Sequence, residues 1–588
     1  MSEKVTGKVF DLKLFKRLMT YIRAYRYQFL FSTLSVLILA ALAAIYPILL
    51  RDIVDDFIVN KNAKQLLNFS LILLGVKLLE VLFQFFYIFF TNWLGQHIIK
   101  DIRTQLFDRM LRFKMQYFNT SPVGKLVTRV VSDTETIASI FGQGLFVIIS
   151  DLLIMLVTIS VMFWMDWSLA LIVIAVLPIV VYATKIFQVK IKATFQDVRN
   201  QIANLNSFVQ ERVSGMRIVQ LVTREHIEYE KFVQINDKHK KAHVRTVSYY
   251  SIFFPIVEIL SSITLGVVVW YGGLKAAVAG EDMLGTIASF IVMTNSLFRP
   301  LRQIADKFNT LQMGMVAAER VFNVLDLEAE EIDTGKFESK SLVGNICFDN
   351  VKFSYIKDEP VLKGISFNVK QGETVAVVGA TGAGKSTIIN LLNRFYNIDS
   401  GVIKIDDRNI NEYRLETLRD QIGVVLQDVF LFSDTILNNI TLNNKTISLE
   451  EVREAAKKIG IHDFIMSLPN DYHYNVKERG SMLSVGQRQL IAFLRVYVSK
   501  PAILILDEAT SSIDAQSEKL IQKATDTLTK NRTSIVIAHR LATVKKADKI
   551  IVLERGEIVE QGTHKELLKQ KGYYSKLYEI QFVTALAS

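Results

Sequence analysis

The residues best suited to chemistry in this sequence are a glycine-rich run that ends in lysine and serine. Residues 379–386 read Gly-Ala-Thr-Gly-Ala-Gly-Lys-Ser, between the apolar run 374–378 and the helix-like run 387–392. This is the G-x-x-x-x-G-K-[ST] pattern in the strand–loop–helix context that it requires. Glycines let backbone N–H groups curl around phosphate oxygens, Lys385 can neutralise phosphate charge, and the Ser386 hydroxyl can ligate Mg²⁺. The run predicts a nucleoside triphosphate site formed by Gly379, Thr381, Gly382, Ala383, Gly384, Lys385, Ser386 and Thr387.

A second apolar run, residues 502–506, ends in two adjacent acids, Asp507 and Glu508. The aliphatic residues place Asp507 at the end of a buried strand, where a carboxylate can hold Mg²⁺ through water. Glu508 suits a general base that orients the attacking water. Many strands end in acids, so the run alone is a weak signal. Together with the phosphate loop it predicts hydrolysis of the bound triphosphate.

The elements that must position these residues fall into two unlike halves. The chain has 588 residues, of which 50% are hydrophobic; its mean hydropathy is +0.27, and Phe alone counts 37. Such an apolar surplus is unusual for a water-soluble domain and excludes intrinsic disorder. The single cysteine, Cys347, excludes an intrachain disulfide framework and a Cys-rich zinc site.

The apolar surplus is concentrated in the first half as six candidate membrane spans. The first span is uncharged and, as an α-helix, about 35 Å long, which is enough to cross a hydrocarbon core of roughly 30 Å. The third and fourth spans are separated only by Asp166 and Trp167, which predicts a tight hairpin with a Trp suited to the interface. The spans are predicted at 28–50, 66–91, 145–165, 168–184, 251–274 and 284–298.

The distribution of Lys and Arg predicts how the spans are oriented. Residues 1–27, 100–129 and 185–250 are rich in Lys and Arg, whereas the loops 51–65, 166–167 and 275–283 are short and mixed or acidic. Basic segments stay on the cytoplasmic side, so both termini are predicted to be cytoplasmic. The net charge of +11 is therefore typical of a multi-pass inner (plasma) membrane protein and does not indicate nucleic-acid binding.

The rest of the pattern sets the domain boundaries. The helical pattern of the basic segments breaks at 119–124 and 214–215, which predicts either short transverse helices at the tips of cytoplasmic hairpins or ordinary solvated connections. Short strand patterns begin at residue 345. The predicted fold is a multi-domain membrane protein, with an all-α six-helix transmembrane domain over 1–326, a linker over 327–344, and an α/β P-loop NTPase domain over 345–588.

A further motif gives the two halves a family resemblance. Residues 483–487 read Leu-Ser-Val-Gly-Gln and precede the strand that ends in Asp507. The run resembles the LSGGQ signature of the ABC transporter superfamily, with Val485 in place of the first of two glycines. Nearly the whole chain is similar to exporter-type half-transporters, the bacterial multidrug and lipid exporters that include lipid A flippases. In that family the signature of one domain caps ATP held by the partner domain, which implies ATP contacts for Ser484, Gly486 and Gln487.

The resemblance also implies roles for other positions. Tyr355 matches the aromatic residue that stacks on adenine, and Gln427 matches the glutamine that touches Mg²⁺ and faces the membrane domain. His539 matches the switch histidine that contacts the γ-phosphate beside the catalytic glutamate, although a lone histidine after a strand is usually structural. Asp514 lies in the loop that crosses the dimer seam, and residues 478–480 match a segment that meets the coupling helices.

The resemblance implies a dimer of half-transporters, either two copies or two different chains, that hydrolyses ATP with Mg²⁺ at composite sites. The expected activity is ATP-driven export or flipping of a hydrophobic or amphiphilic cargo (a lipid, drug or peptide) across the lipid bilayer. A soluble ABC ATPase would lack the six spans. An ATP-gated membrane channel or receptor without active pumping stays open as the alternative, and substrate-stimulated ATP turnover would discriminate between the two.

Two charged residues lie inside the second predicted span. Lys77 and Glu80 are three residues apart, so they share a helix face and can pair. A lone charge at the bilayer centre costs at least about 2.5–3.5 kcal/mol, so such residues usually face the bundle interior or a wet cavity. Two interpretations stay open: a structural pair that neutralises itself, or a polar patch that lines the pathway of an amphiphile with a charged head.

Overall fold

The computed structural model describes residues 11–59, 61–279, 283–339, 341–508, 515–538 and 540–579, with the backbone alone at 279, 302–306, 508, 515 and 516. The chain divides into two compact units. The helical unit comprises Met1–Leu111 and Ser121–Glu328, and the α/β unit comprises Arg112–Thr120 and Ala329–Ser588. Of the predicted site residues, Asp514 and His539 lie outside the described residues, as does the side chain of Glu508.

Long helices with short connections make up the first part of the chain. Three π-helical turns interrupt them, at Ile53–Ile58, Arg129–Asp133 and Ile140–Leu145. The helices are α1 Leu12–Ile22, α2 Arg26–Asp52, α3 Ala63–Leu111, α4 Met115–Thr120, α5 Val123–Thr128, α6 Thr134–Ser139, α7 Phe146–Met165, α8 Trp167–Ser214, α9 Met216–Leu221, α10 Glu225–Ala279 and α11 Leu284–Leu325. Of these, α4 belongs to the α/β unit.

Five helical stretches of the described chain are long and apolar enough to cross a membrane. They are Leu12–Ile58, Ala63–Leu111, Val123–Met165, Trp167–Ser214 and Glu225–Val278, and they contain the first five predicted spans. The sixth predicted span, 284–298, lies at the start of α11, where Thr294, Asn295 and Ser296 dilute the apolar residues. That helix is not among the five, so a sixth span stays a prediction.

Local capping explains where the long helices end. Asp166 terminates α7 and caps α8, because its carboxylate accepts the backbone N–H groups of Ser168 at 2.9 Å and Leu169 at 3.0 Å. This cap forms the hairpin predicted between the third and fourth spans. At the other predicted breaks, Gly215 ends α8, and Pro122 stands between α4 and α5 with φ of −59°. A six-residue helix, α4 or α9, lies beside each break.

Two sheets form the centre of the α/β unit. The smaller sheet is antiparallel, and the larger is mostly parallel. The strands are β1 Ile346–Ile356, β2 Glu359–Val369, β3 Thr374–Gly379, β4 Ser400–Ile405, β5 Arg408–Asn409, β6 Ile422–Val425, β7 Ile503–Glu508, β8 Thr533–Ala538, β9 Lys549–Glu554 and β10 Glu557–Gly562. Their order is β2-β1-β4-β5 in the smaller sheet and β10-β9-β3-β8-β7-β6 in the larger.

Helices cover the larger sheet. The helices are α12 Lys385–Leu392, α13 Leu415–Asp420, α14 Ile436–Thr441, α15 Leu449–Ile459, α16 His462–Met466, α17 Val485–Ser499, α18 Ala515–Thr529, α19 Leu541–Lys546, α20 His564–Gln570 and α21 Tyr573–Tyr578. Alternate residues of β3 enter different hydrophobic cores: Ala376 and Val378 enter one, and Val375 and Val377 enter the other. Both faces of β3 are buried, which explains its unbroken apolar run.

Candidate nucleotide site

One edge of the larger sheet collects the carboxyl ends of its parallel strands. Strands β3, β8, β7 and β6 lie side by side, with Val377 opposite Ile537 and Leu506 opposite Val425. In open parallel sheets, ligands bind in the crevice at this edge. The phosphate loop follows β3, the acids Asp507 and Glu508 end β7, and Gln427 follows β6. The topology therefore brings together motifs that are far apart in the sequence.

The phosphate loop turns on glycines with positive φ. Gly382 has φ of +82°, and Gly384, the N-cap of α12, has φ of +101°. A Cβ at Gly384 would lie 2.8 Å from Leu362 Cδ2, so glycine is required there for space as well as for conformation. In the first turn of α12, Thr387 N donates to Gly384 O at 3.2 Å. The other N–H groups that begin a helix lack an intrahelical acceptor, which suits this helix start to an anion.

Carbonyl groups of the loop hold Lys385 in place. Its Nζ donates to Gly379 O at 2.7 Å and to Ala380 O at 3.0 Å, and the residue is only 8% exposed. Burial lowers the pKa of Lys385, and the negative charge of Asp507 partly offsets that effect. The loop therefore contains a buried ammonium group, which a phosphate would compensate.

Asp507 lies close to the first turn of α12, where its carboxylate accepts a hydrogen bond from the Ser386 hydroxyl. Burial raises the pKa of Asp507; the Lys385 charge and the Ser386 hydrogen bond lower it, and the Asp428 charge raises it again. The pKa of Asp507 stays raised, because the Lys385 charge and the Ser386 hydrogen bond do not fully compensate for the burial of its carboxylate. A hydroxyl beside such a carboxylate fits Mg²⁺, which takes oxygen ligands and needs only one or two carboxylates beside substrate phosphates.

Tyr355 joins the same region through its hydroxyl group. The hydroxyl donates to Thr387 Oγ1 at 3.3 Å and accepts from Asn390 Nδ2 at 2.9 Å, so the ring is fixed against α12. The residue is 38% exposed. A partly exposed aromatic ring beside a phosphate loop is suited to stacking on a base.

The predicted signature residues form the start of α17. Ser484 is the N-cap and forms a capping box with Gln487. Val485 is the first residue of the helix, and Gly486 is buried in the first turn. Val485 is 46% exposed and its φ is not positive, so this position does not need the conformational freedom of glycine.

Two other predicted segments lie in turns. Gln427 is exposed in the turn after β6. Residues Glu478–Gly480 form a 3₁₀ turn in which Arg479 has φ of +52° and Gly480 has φ of +68°. Arg488 of α17 donates to Gly480 O at 3.4 Å and to Leu483 O at 2.9 Å. This arginine ties the turn to the start of the signature helix.

Sequence reasoning missed two side chains in this region. Asn390 follows Thr387 by three residues on α12, a spacing that places both on one helix face and could have indicated their shared contact with Tyr355. Tyr396 lies edge-on to Tyr355, with ring centroids 5.0 Å apart. Nothing in the spacing of Tyr396 indicates this contact, because β1 and the segment after α12 meet only in the folded unit.

Comparisons with known proteins agree with this architecture. Residues 29–301 match the ABC transporter transmembrane region family, and residues 362–511 match the ABC transporter family. An uncharacterized ABC transporter ATP-binding protein, YknV of Bacillus subtilis (strain 168), is 36% identical over 100% of this chain and 97% of its own length. An ATP-dependent lipid A-core flippase of Syntrophus aciditrophicus (strain SB) is 34% identical over 97% of this chain and 95% of its own length.

A solved structure is similar over nearly the whole chain. The structure of a bacterial Atm1-family ABC exporter with ATP bound matches with a TM-score of 0.77 at 27% sequence identity. The match covers 95% of this chain and 98% of that one. It spans both the helical unit and the α/β unit.

Proposed function

The chain belongs to the ABC transporter family and is a multi-pass membrane protein whose ATPase domain drives transport, and from this premise we propose that it exports or flips an amphiphile as a dimer of half-transporters. One chain has one phosphate loop and one signature helix. Each ATP would therefore lie between the phosphate loop of one copy and the signature of its partner. The observation that carries the proposal is the shared sheet edge at which Lys385, Ser386 and Asp507 meet.

The proposed roles of the site residues follow their surroundings. Tyr355 stacks on adenine, the loop from Gly379 to Thr387 binds the phosphates, and Ser386, Gln427 and Asp507 would hold Mg²⁺, which supplies positive charge against the phosphates when bound. Ser484, Gly486 and Gln487 contact the ATP of the partner copy, and Asp514 lies at the dimer seam. Glu508 orients and deprotonates the attacking water, and His539 contacts the γ-phosphate.

The proposed orientation follows the charge pattern. The segments 11–27, 100–129 and 185–250 are basic, so the termini and the ATPase domain are placed in the cytoplasm and the spans in the inner membrane. The partner copy can be identical or different, because every motif of a complete site is present in this chain. An ATP-gated channel is not favoured, because one of the relatives described above is named a flippase and the similar solved structure is that of an exporter.

A cavity in the helical unit supports an amphiphilic cargo. Its volume is about 480 Å³, and two ion pairs lie in its wall, Lys77 with Glu80 and Lys307 with Asp151. Lys77 Nζ lies 2.6 Å from Glu80 Oε2 and also 3.9 Å above the Tyr46 ring centroid. A cavity that combines apolar walls with fixed charges offers both of the surfaces that an amphiphile presents.

Two polar groups in the same wall indicate the sign of the cargo head. Arg299 forms no ion pair with any described residue, and the hydroxyl of the buried Tyr87 has no hydrogen-bond partner among them. Among the described residues of the wall the other charges are paired, which leaves one cation and one hydroxyl without a described partner. We infer that the cavity favours an amphiphile with an anionic head group, for which a guanidinium is a strong ligand.

The proposal is tested on the purified full-length chain in lipid nanodiscs. A mass of two chains of 66.9 kDa plus the disc, and ATP turnover that rises severalfold on addition of an anionic lipid or drug, would support it. Proteoliposomes with a fluorescent lipid then distinguish pumping from gating, because only pumping moves the lipid against its gradient. Passive, ATP-gated flux down a gradient with no uphill movement would contradict the proposal.

A further inference from the structure

Two histidines lie one turn apart in the long helix α10. His239 and His243 have the i, i+4 spacing, which places both side chains on one face of the helix. Their ring centroids are 4.7 Å apart, with an interplanar angle of 76°. Neither ring makes a hydrogen bond or an ion pair with any residue that the structure describes. The ring nitrogens are therefore available to a ligand from solvent.

The pair lies on an accessible side of α10. Ala242 and Thr246 are buried, at 3% and 7% exposure, and mark the side on which this part of the helix packs against its neighbours. His239 is half-buried at the edge of that side, and His243 is exposed. A small ion can therefore reach both rings without displacing a packed side chain.

The charges nearest the pair are partly balanced within the helix. Lys240 lies three residues before His243, so it shares part of the same face. Its Nζ lies 2.5 Å from Asp237 Oδ1, and Lys241 Nζ lies 2.7 Å from Asp237 Oδ2. The Asp237 carboxylate thus offsets part of the positive charge that would repel a cation at the two rings.

From this geometry we propose that His239 and His243 form a binding site for a divalent transition-metal ion such as Zn²⁺, Ni²⁺ or Cu²⁺. Imidazole nitrogen suits these ions, whereas Mg²⁺ and Ca²⁺ take oxygen ligands. Two nitrogens bound to one tetrahedral Zn²⁺ are about 3.3 Å apart, and histidines one helical turn apart can hold such an ion. Within the described chain no third His, Cys, Asp or Glu joins the pair, so water takes the other positions of the ion.

A bound ion would link two successive turns of α10. A ligand that binds only the folded state stabilises it, so the helix should open less often around residues 236–246 when the metal is bound. His243 lies eight residues before the predicted fifth span, or about 12 Å along the helix axis. The site is separate from the nucleotide site and from the cavity of the helical unit, and it does not depend on the roles proposed for either.

The test is calorimetric titration of the purified full-length protein, free of any affinity tag, with Zn²⁺, Ni²⁺ or Cu²⁺. Nucleotide is left out, and excess Mg²⁺ fills sites that take oxygen ligands. Wild type should bind one ion per chain at this site, with Cu²⁺ bound most tightly. His239→Ala and His243→Ala each remove one ligand and should weaken binding by about tenfold or more, because the second ligand no longer binds intramolecularly. Hydrogen exchange of residues 236–246 should slow with metal in wild type and not in these variants.

A variant of unchanged composition is the matched control. His243→Val/Val244→His keeps two histidines but separates them by five residues, which turns them roughly 140° apart around the helix, so it should bind as weakly as the single variants. Val244 is exposed, so the exchange should leave the thermal unfolding of the metal-free protein unchanged. His226→Ala alters another histidine of α10, 3.6 Å from Glu230, and should keep wild-type affinity.

Three results would overturn the proposal. The first is wild-type affinity in His239→Ala, in His243→Ala or in the variant with the moved histidine. The second is loss of binding in His226→Ala, which would assign the ion to another part of α10. The third is wild-type protein that binds none of the three ions in the presence of excess Mg²⁺.

Discussion

Ser484 and Gln487 form a reciprocal pair of hydrogen bonds, a capping box, at the start of α17. The Gln487 N–H donates to Ser484 Oγ at 3.2 Å, and the Ser484 N–H donates to Gln487 Oε1 at 2.9 Å. This reciprocal pair satisfies two backbone donors at the helix end and fixes the backbone around Val485, which lies between them. The departure from the family signature therefore falls at a position with ordinary helical geometry.

We expect the signature with Val485 to be fully functional. Val485→Gly should leave ATP turnover of the dimer within about twofold of wild type and should lower stability by at most about 1 kcal/mol, the usual effect of glycine within a helix. Ser484→Ala is the matched comparison: it removes the cap, for about 1 kcal/mol, and also a phosphate contact, so its turnover should fall much further. ATPase rates and thermal unfolding of the three proteins check this, and a tenfold gain in Val485→Gly would contradict it.

The phosphate loop and the strand that ends in Asp507 could be predicted from sequence because their signals are local. Gly384 needs positive φ, and the buried strand needs an unbroken apolar run. The contact between Asn119 and Tyr396 could not be predicted, because it joins residues 277 positions apart that only the fold brings together. Whether position 485 requires glycine could not be predicted from the local sequence either, because the answer depends on whether the helix begins before or after that residue.

The chemistry proposed for Glu508 separates binding from turnover. Glu508→Gln should bind ATP as wild type does but hydrolyse it about 10²–10⁴-fold more slowly, because an amide cannot accept the proton of water. Lys385→Ala should instead weaken ATP binding by about tenfold or more, since the loop loses its buried cation. Equilibrium ATP binding and single-turnover hydrolysis measure the two effects. A Glu508→Gln dimer that hydrolyses ATP near the wild-type rate would show that the base lies elsewhere.

The surroundings of Asp507 predict a pH dependence of metal binding. Burial raises the pKa of Asp507, so its carboxylate is protonated at a higher pH than that of an exposed aspartate. The protonated carboxyl cannot hold Mg²⁺, so below the raised pKa the Mg²⁺ affinity should fall by up to about tenfold per pH unit. In Asp507→Asn the side chain at 507 no longer titrates, whereas ATP still does. This variant is therefore the control for the pH dependence that comes from ATP. Equal pH profiles of Mg²⁺ affinity in the two proteins would contradict a role of Asp507 in the metal site.

The pair Lys77 and Glu80 tests whether the cavity of the helical unit handles cargo. Removing one partner leaves a charge unpaired inside a predicted span, so Lys77→Leu alone should destabilise the protein by about 2.5–3.5 kcal/mol. Lys77→Leu/Glu80→Leu removes both charges and should fold and keep basal ATP turnover. If the pair lines the cargo pathway, this double variant should lose the stimulation of turnover by an anionic amphiphile, because the polar part of the wall is gone.

The control for this experiment is the surface pair Asp237 and Lys240 on α10, which has the same three-residue spacing; Asp237 also pairs with the exposed Lys241. Asp237→Ala/Lys240→Ala should change neither stability nor stimulation measurably, because ion pairs between exposed side chains contribute little to stability. Arg299→Gln adds a second test of the same cavity: it should reduce stimulation by anionic amphiphiles and leave stimulation by neutral ones. Full stimulation in a well-folded Lys77→Leu/Glu80→Leu dimer would assign the pair a structural role, in which two charges neutralise each other and take no part in transport.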